Sequence, residues 1–243
     1  MRILLQISYI GTQYHGWQVQ PNAVTIQQLL QDAIEAVYGE RYGVTGCSRT
    51  DTGVHAKEFC CHFDSDKFIP EKGIVAALNT HLPEDIRVVS CRFVPNDFHA
   101  RYSSKGKNYV YRIYNSPTPN PFEANRSWQI AKPLDLERIN KFASGLLGTH
   151  DFVAFSASGR TTDDTVRTIS ECNFTRDGDY VVLSVSADGF LYNMVRIIVG
   201  TAVDISFGRI ENCDAEKILS SKNRALAGIT APPDGLYLNK VFY

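Results

Sequence analysis

The chain has 243 residues, 44% of them hydrophobic and 21% charged, enough to bury one large core or two of ordinary size. A formal net charge of −1 excludes a global pull toward nucleic acid or acidic membranes, so a polyanion site has to come from local clusters of Arg and Lys. Residues 1–8 read as a mixed strand rather than a charged-then-apolar leader, and no apolar run approaches the length of a bilayer span. The expectation is a cytoplasmic protein with no membrane partner.

Residues 2–9 are rich in β-branched and long apolar side chains and predict a strand. A turn-rich loop over 11–23 carries Tyr14, His15, Gly16 and Trp17. Thr25 then caps a helix whose residues Ile26, Leu29, Leu30, Ala33, Ile34 and Val37 follow the i, i+3, i+4 pattern, and Gly39 ends it. Strands are expected over 43–50 and 57–64. A second helix begins near Pro70, a favoured first-turn residue, and carries Ile74, Val75 and Leu78. A strand over 86–94 closes this half.

The second half repeats that order. Residues 107–114 read as a strand and the proline-rich stretch 115–131 as a long loop. Leu136, Ile139, Phe142, Ala143 and Leu146 mark a helix ended by Gly148. Residues 166–175 and 180–187 predict a hairpin around Asp177-Gly178. Met194, Val195, Ile197, Ile198, Ala202, Val203 and Ile205 mark an apolar helix, a shorter one spans 216–219, and 236–242 form a last strand. Strand, helix, strand, strand, helix, strand is the ferredoxin-like split βαβ order. The expected fold class is α/β (α+β), with two ferredoxin-like βαββαβ halves, 1–104 and 105–243, around a central cleft of the kind that favours ligands.

Cys47, Cys60, Cys61, Cys91, Cys172 and Cys213 are scattered without a CxxC pair or zinc-ligand spacing. Cys60 and Cys61 are adjacent on an expected strand and point to opposite faces. Buried thiols and no metal are the reading. His62, His81 and His99 have no partner at ligand spacing and read as satisfied or surface histidines.

Chemistry concentrates in the run Gly46-Cys47-Ser48-Arg49-Thr50-Asp51-Thr52-Gly53-Val54-His55-Ala56. A carboxylate beside an arginine at a strand-to-loop edge stays ionised, and in a sheltered cleft it can act as a nucleophile. The plain alternative is a turn residue, since Asp followed by Thr-Gly is turn chemistry. Arg196 lies in the first turns of the apolar helix, where a charge needs a partner; it either reaches solvent or pairs with Asp51. Tyr109 and Tyr111 share one strand face, as core filler or as rings that stack on a base while a hydroxyl handles a proton. Arg101, Lys105 and Lys107 supply nearby positive charge, as phosphate ligands or as a solvated cluster.

These segments together resemble the bacterial tRNA pseudouridine synthase A family. The resemblance is carried by Tyr9-Ile10-Gly11-Thr12-Gln13-Tyr14-His15-Gly16-Trp17-Gln18, the Arg-Thr-Asp-x-Gly-Val-His element ending at His55, Phe98-His99-Ala100-Arg101, Tyr109, Phe190 through Arg196, and Gly235-Leu236-Tyr237-Leu238. It spans nearly the whole chain in order. Two positions depart: the family usually has Asp where Ile10 stands and commonly Gly where Ser48 stands. The resemblance implies isomerisation of uridine to pseudouridine at positions 38, 39 and 40 of the tRNA anticodon stem-loop, with no cofactor or metal, by a homodimer that a single tRNA spans. It implies Asp51 as nucleophile and Tyr109 as the ring that stacks on the base and takes the carbon-five proton. Arg196 would partner Asp51, and Leu236 would form an apolar wall. Arg49 would fill the gap left by the flipped nucleotide or hold that nucleotide, with His55, Arg101, Lys105 and Lys107 among the RNA contacts.

Two other classes compete. A non-catalytic RNA-binding sheet with exposed aromatics would read single strands, but gives no reason for a carboxylate that repels phosphate. A carboxylate hydrolase needs a second acid near Asp51, and Glu58 and Asp64 are the nearest candidates.

Overall fold

A computed structural model describes residues 1–159, 162–210 and 214–243. In chain order, the first elements are β1 (Arg2–Tyr9), α1 (Ile26–Tyr38), β2 (Thr45–Gly46), β3 (His55–Asp64), α2 (Glu71–His81) and β4 (Ile86–Val94). Then come β5 (Gly106–Tyr114), β6 (Trp128–Gln129), α3 (Leu136–Ser144), β7 (Gly148–Asp151), β8 (Val166–Asp177) and β9 (Tyr180–Ala187). The chain finishes with α4 (Met194–Ser206), α5 (Ala215–Ser221) and β10 (Leu236–Phe242). It divides into two compact units, Met1–Lys105 with Tyr237–Tyr243, and Gly106–Leu236.

In the first unit β1 is central, antiparallel to β4 on one side and to β3 on the other. Ile3, Leu5 and Ile7 are fully buried on one face, as the period-2 pattern requires. α1 and α2 pack on each other. Thr25 accepts the Gln28 N–H at 3.4 Å, and Gly39 closes α1 in the left-handed region at φ 74°. The second edge of β3 is shared between two strands. β2 lies opposite Cys61 and His62, and β10 runs parallel to its start, with Tyr237 opposite His55 and Leu238 opposite Ala56.

The second unit has strand order β5-β9-β8-β7, with β6 parallel to β5 on its other edge. β5, β9 and β8 stand as β1, β3 and β2 do, so each unit shows the strand-helix-strand-strand core of the split βαβ fold. The β8–β9 hairpin turns through Gly178 at φ 56° and Asp179. α3 packs against β8 and α4. Most of α4 is buried, matching a sequence apolar on all sides. Gly200 permits this, because a Cβ there would lie 1.8 Å from the Ile229 carbonyl oxygen. The segment around Ile229 therefore lies directly on the helix.

Three local expectations are corrected. The strand expected over 43–50 shrinks to Thr45–Gly46. One bond continues from the Cys47 N–H to Cys60 O at 2.8 Å, and the chain then turns away so that Thr50 O receives the Trp17 N–H at 3.1 Å. The helix expected to reach Gly148 stops at Ser144 with Gly145 as its cap; Leu146 stays fully buried, and Gly148, at φ 97°, opens β7. The stretch 115–131 is not all loop: it contains β6 and a 3-10 turn over Pro121–Glu123. Cys47, Cys60, Cys61, Cys91 and Cys172 are buried and form no disulfide among the described residues, while Cys213 lies outside the described residues. Burial pushes the Cys60 thiol up to about 11 and those of Cys91 and Cys172 up to about 12, so these sulfurs stay protonated and unreactive. Among the described residues no helix is long and apolar enough to cross a membrane.

Candidate active site

The Asp51 loop sits at the N-terminal end of β3 and is clamped by the loop that follows β1. The Trp17 N–H donates to Thr50 O, the Gly53 N–H donates to Tyr14 O at 3.3 Å, and the Gly11 N–H donates to His55 Nδ1 at 2.9 Å. Below these, the Tyr9 and Thr50 hydroxyls share a buried bond of 2.8 Å. Val54 N–H closes the turn onto Asp51 O at 3.1 Å, with Gly53 at φ 81°. Gly16 stands at φ 80°, and a Cβ there would be 2.4 Å from Thr50 O. Only glycine lets the two loops approach this closely. The clamp is itself anchored: the Tyr14 hydroxyl donates to the Asp85 carboxylate, and the Ile10 N–H donates to Asp85 O at 2.9 Å.

Asp51 is thus a partly exposed carboxylate on a backbone fixed from both sides. Arg49, two residues before it, is exposed. His55 is fully buried; its Nδ1 accepts from Gly11, so its proton lies on Nε2, and its ring lies 4.6 Å from that of Tyr237. Its contacts order the loop. Glu58 and Asp64 do not converge on Asp51. Glu58 accepts the Val241 N–H, and Asp64 is held by Arg2 at the far end of β3, about 30 Å along the strand.

A polar cleft of about 250 Å³ opens beside Arg49. Trp17, Gln18, His99, Arg101 and Tyr102 also line it. Trp17 is its buried wall, stacked on Phe59 with ring centroids 4.2 Å apart. His99 Nδ1 accepts the N–H groups of Arg101 and Tyr102, which fixes the turn that carries them. Arg49 and Arg101 are therefore brought together. Lys105 is exposed near the end of the same unit, its N–H donating to Phe242 O at 2.8 Å. Behind this turn His62 accepts the Ala100 N–H at 3.2 Å, and burial and the charge of Arg2 hold its imidazole down to about 4.

In the second unit, Tyr109 on β5 is buried, its ring centroid 5.0 Å from that of Phe190 with the planes 82° apart. Lys107, two residues earlier, is half-buried. Arg196 in the first turn of α4 is half-buried and directed: Nε donates to Ala231 O at 2.7 Å and an Nη to Asn193 Oδ1 at 2.8 Å, while Ala231 N–H returns a bond to Arg196 O. The Tyr111 hydroxyl holds the next carbonyl, Pro232 O, at 2.8 Å. Burial raises that phenol well above its ordinary range, against the opposing charge of Arg196. Gly235 lies against the Tyr111 ring and Arg112 O. Residues 231–235 thus form a strap tied to Arg196 and Tyr111, and it delivers the buried Leu236.

The sequence places Gln18 and His99 inside motifs without giving either a site role, and Tyr102 does not stand out in it at all. The signal the sequence offers is an aromatic residue, Tyr102, directly after Arg101 in a cationic stretch. Among the described residues no His, Cys, Asp and Glu side chains cluster in a set that could hold a metal.

Comparison with known proteins adds the family. The family model described as tRNA pseudouridine synthase matches residues 6–103 and 142–243. A tRNA pseudouridine synthase A from Thermoanaerobacter sp. (strain X514) is 48% identical over 241 residues, covering 99% of both chains. The protein of that name from Ruminiclostridium cellulolyticum is 44% identical over 243 residues, covering 100% of this chain and 99% of its own. A chain in a crystal structure of a Cbf5-Nop10-Gar1 complex aligns at TM-score 0.38 and 9% identity, over 98% of this chain and 58% of that one, too remote to bear on the fold. With a family match across most of its length and full-length relatives at this identity, the chain belongs to the tRNA pseudouridine synthase family, a family of isomerases.

Proposed function

We propose that this pseudouridine synthase isomerises uridines at positions 38, 39 and 40 of the tRNA anticodon stem-loop through a covalent Asp51 intermediate. The observation that supports Asp51 is its mount: a half-exposed carboxylate on a turn held by the Trp17, Gly53 and Gly11 N–H bonds and the Tyr9–Thr50 hydroxyl pair. Such preorganisation suits a nucleophile that has to meet one atom of a flipped nucleotide.

In this reading the bond between N1 and the ribose breaks, the freed uracil turns, and C5 bonds to the same ribose carbon. C5 gives up its proton, and N1 takes one, so no atoms are gained or lost. Asp51 holds the reaction covalently between these steps. Tyr109 stacks on the base and takes the C5 proton. Arg196 partners Asp51 and keeps it ionised near neutral pH, while Leu236 walls the base from water. Flipping the target from its stack costs a few kcal/mol, offset by Arg49 and by phosphate contacts from Arg101, Lys105 and Lys107; His55 contributes through the loop it orders. The first half then carries the nucleophile loop and the second the stacking Tyr and partner Arg. The protein works in the cytoplasm as a homodimer that one tRNA spans.

The test is Asp51→Asn. It is expected to abolish pseudouridine in the anticodon arm, read by chemical mapping of tRNA, while tRNA binding stays within a few-fold of the parent. Full activity in that variant would sink the assignment.

A further inference from the structure

The cleft beside Arg49 has features that a simple phosphate grip does not need. Tyr102 is 77% exposed, a large ring left in solvent that nonetheless has a fixed pose. It lies over His99, with centroids 4.4 Å apart and planes 32° from parallel, and the Arg101 guanidinium is 5.8 Å from its centroid. His99 accepts the Tyr102 N–H at 3.2 Å, so backbone and ring are both held. Gln18 reaches the same cleft from the loop that clamps Asp51, and its exposed amide is unused among the described residues. The volume of about 250 Å³ falls below the ~300–1,000 Å³ of pockets that enclose whole small molecules. That size suits one part of a polymer.

Exposed aromatic rings beside arginines stack nucleobases, and a carboxamide reads a base edge with two bonds. Arg49 belongs to this cleft and lies two residues from Asp51, so the two backbones are within about 7 Å along the chain. From this we infer that the cleft seats a second nucleotide of the RNA, adjacent to the uridine at Asp51: its base stacks on Tyr102, Gln18 bonds its edge, and Arg49 and Arg101 hold the phosphate that joins the two nucleotides. This rests on the reading of the protein as an RNA-modifying synthase. It adds that a neighbour of the target is also drawn out of the stack and held by its ring face, which every base offers, as action at three successive positions requires.

The experiment measures tRNA dissociation constants and pseudouridine formation at saturating tRNA for the parent, Tyr102→Leu, Tyr102→Phe, Gln18→Ala and Arg101→Gln. Stacking predicts that Tyr102→Leu weakens binding about 5- to 150-fold while Tyr102→Phe stays near the parent. Neither change should alter the salt slope, whereas Arg101→Gln should lower it by about one. Gln18→Ala should weaken binding about 2- to 12-fold, the scale of a lost edge hydrogen bond, whichever base neighbours the target. Tyr102→Leu binding as the parent does, or Tyr102→Phe losing as much as Tyr102→Leu, would overturn stacking; parental binding in Gln18→Ala would overturn the edge contact. A parent that binds tRNA but makes no pseudouridine would overturn the synthase reading instead, and the binding titration of the Tyr102 variants would still decide whether the ring stacks a base.

Discussion

Tyr109 and Tyr111 share a face of β5 yet keep different company. Tyr111 is fully buried with its hydroxyl donating to Pro232 O, whereas Tyr109 packs its ring against Phe190 at a steep angle. Alternation on the strand could pair the two but could not separate them, because a carbonyl about 120 residues downstream decides it. Tyr109→Phe should bind tRNA normally and turn over at least about 100-fold more slowly, the usual scale of a lost proton-transfer group; single-turnover rates check this, and parental speed would end the proton-transfer role. His62 gives a prediction on stability. Its imidazole is held down to about 4 in the fold against about 6.5 when unfolded. Above 6.5 both states are neutral. As pH falls from 6.5 toward 4 the unfolded chain binds the proton first, so stability declines across that window. Thermal unfolding of His62→Gln should show a shallower decline there than the parent, and parallel curves would remove His62 as the cause.

At the scale of elements, the long periodic helices and strands were legible and their edges were not. α1 and α4 announce themselves through apolar spacing, and Thr25 and Gly39 mark the ends of α1. The strand expected over 43–50 fails because Thr50 gives its carbonyl to Trp17 rather than to β3, a long-range choice that β-propensity does not encode. The same bond is what builds the site. The Asp51 motif and the Tyr9–Gln18 motif were each readable, but their clamp was not, since it is made of backbone groups. Gly16→Ala tests the clamp. Left-handed strain of about 1–3 kcal/mol, together with a Cβ 2.4 Å from Thr50 O, should lower the melting temperature and cut the catalytic rate more than tenfold. A variant with parental rate and stability would show that the clamp does not set the position of Asp51.

For the molecule as a whole, charge is nearly balanced at −1, so affinity for RNA has to be local. Arg49 and Arg101 share a cleft, and Lys105 is exposed in the same unit. With three or more phosphates neutralised, raising salt from 50 to 200 mM should weaken tRNA binding by more than about tenfold. Titrations at several salt concentrations measure it, and a flat response would mean that these cations do not hold phosphate. Composition gave no hint of this.

The shared edge of β3 orders events in time. The start of β3, directly after the Asp51 turn, receives β10, and Val241 N–H reaches Glu58 across 183 residues of sequence. A ribosome therefore exposes the Asp51 motif long before it delivers the strand and the Tyr237 ring that rest on His55. Until then the turn has one flank missing. The mount of Asp51 is finished last, and a nascent or C-terminally clipped chain carries the whole Arg49–His55 motif without the strand that braces it.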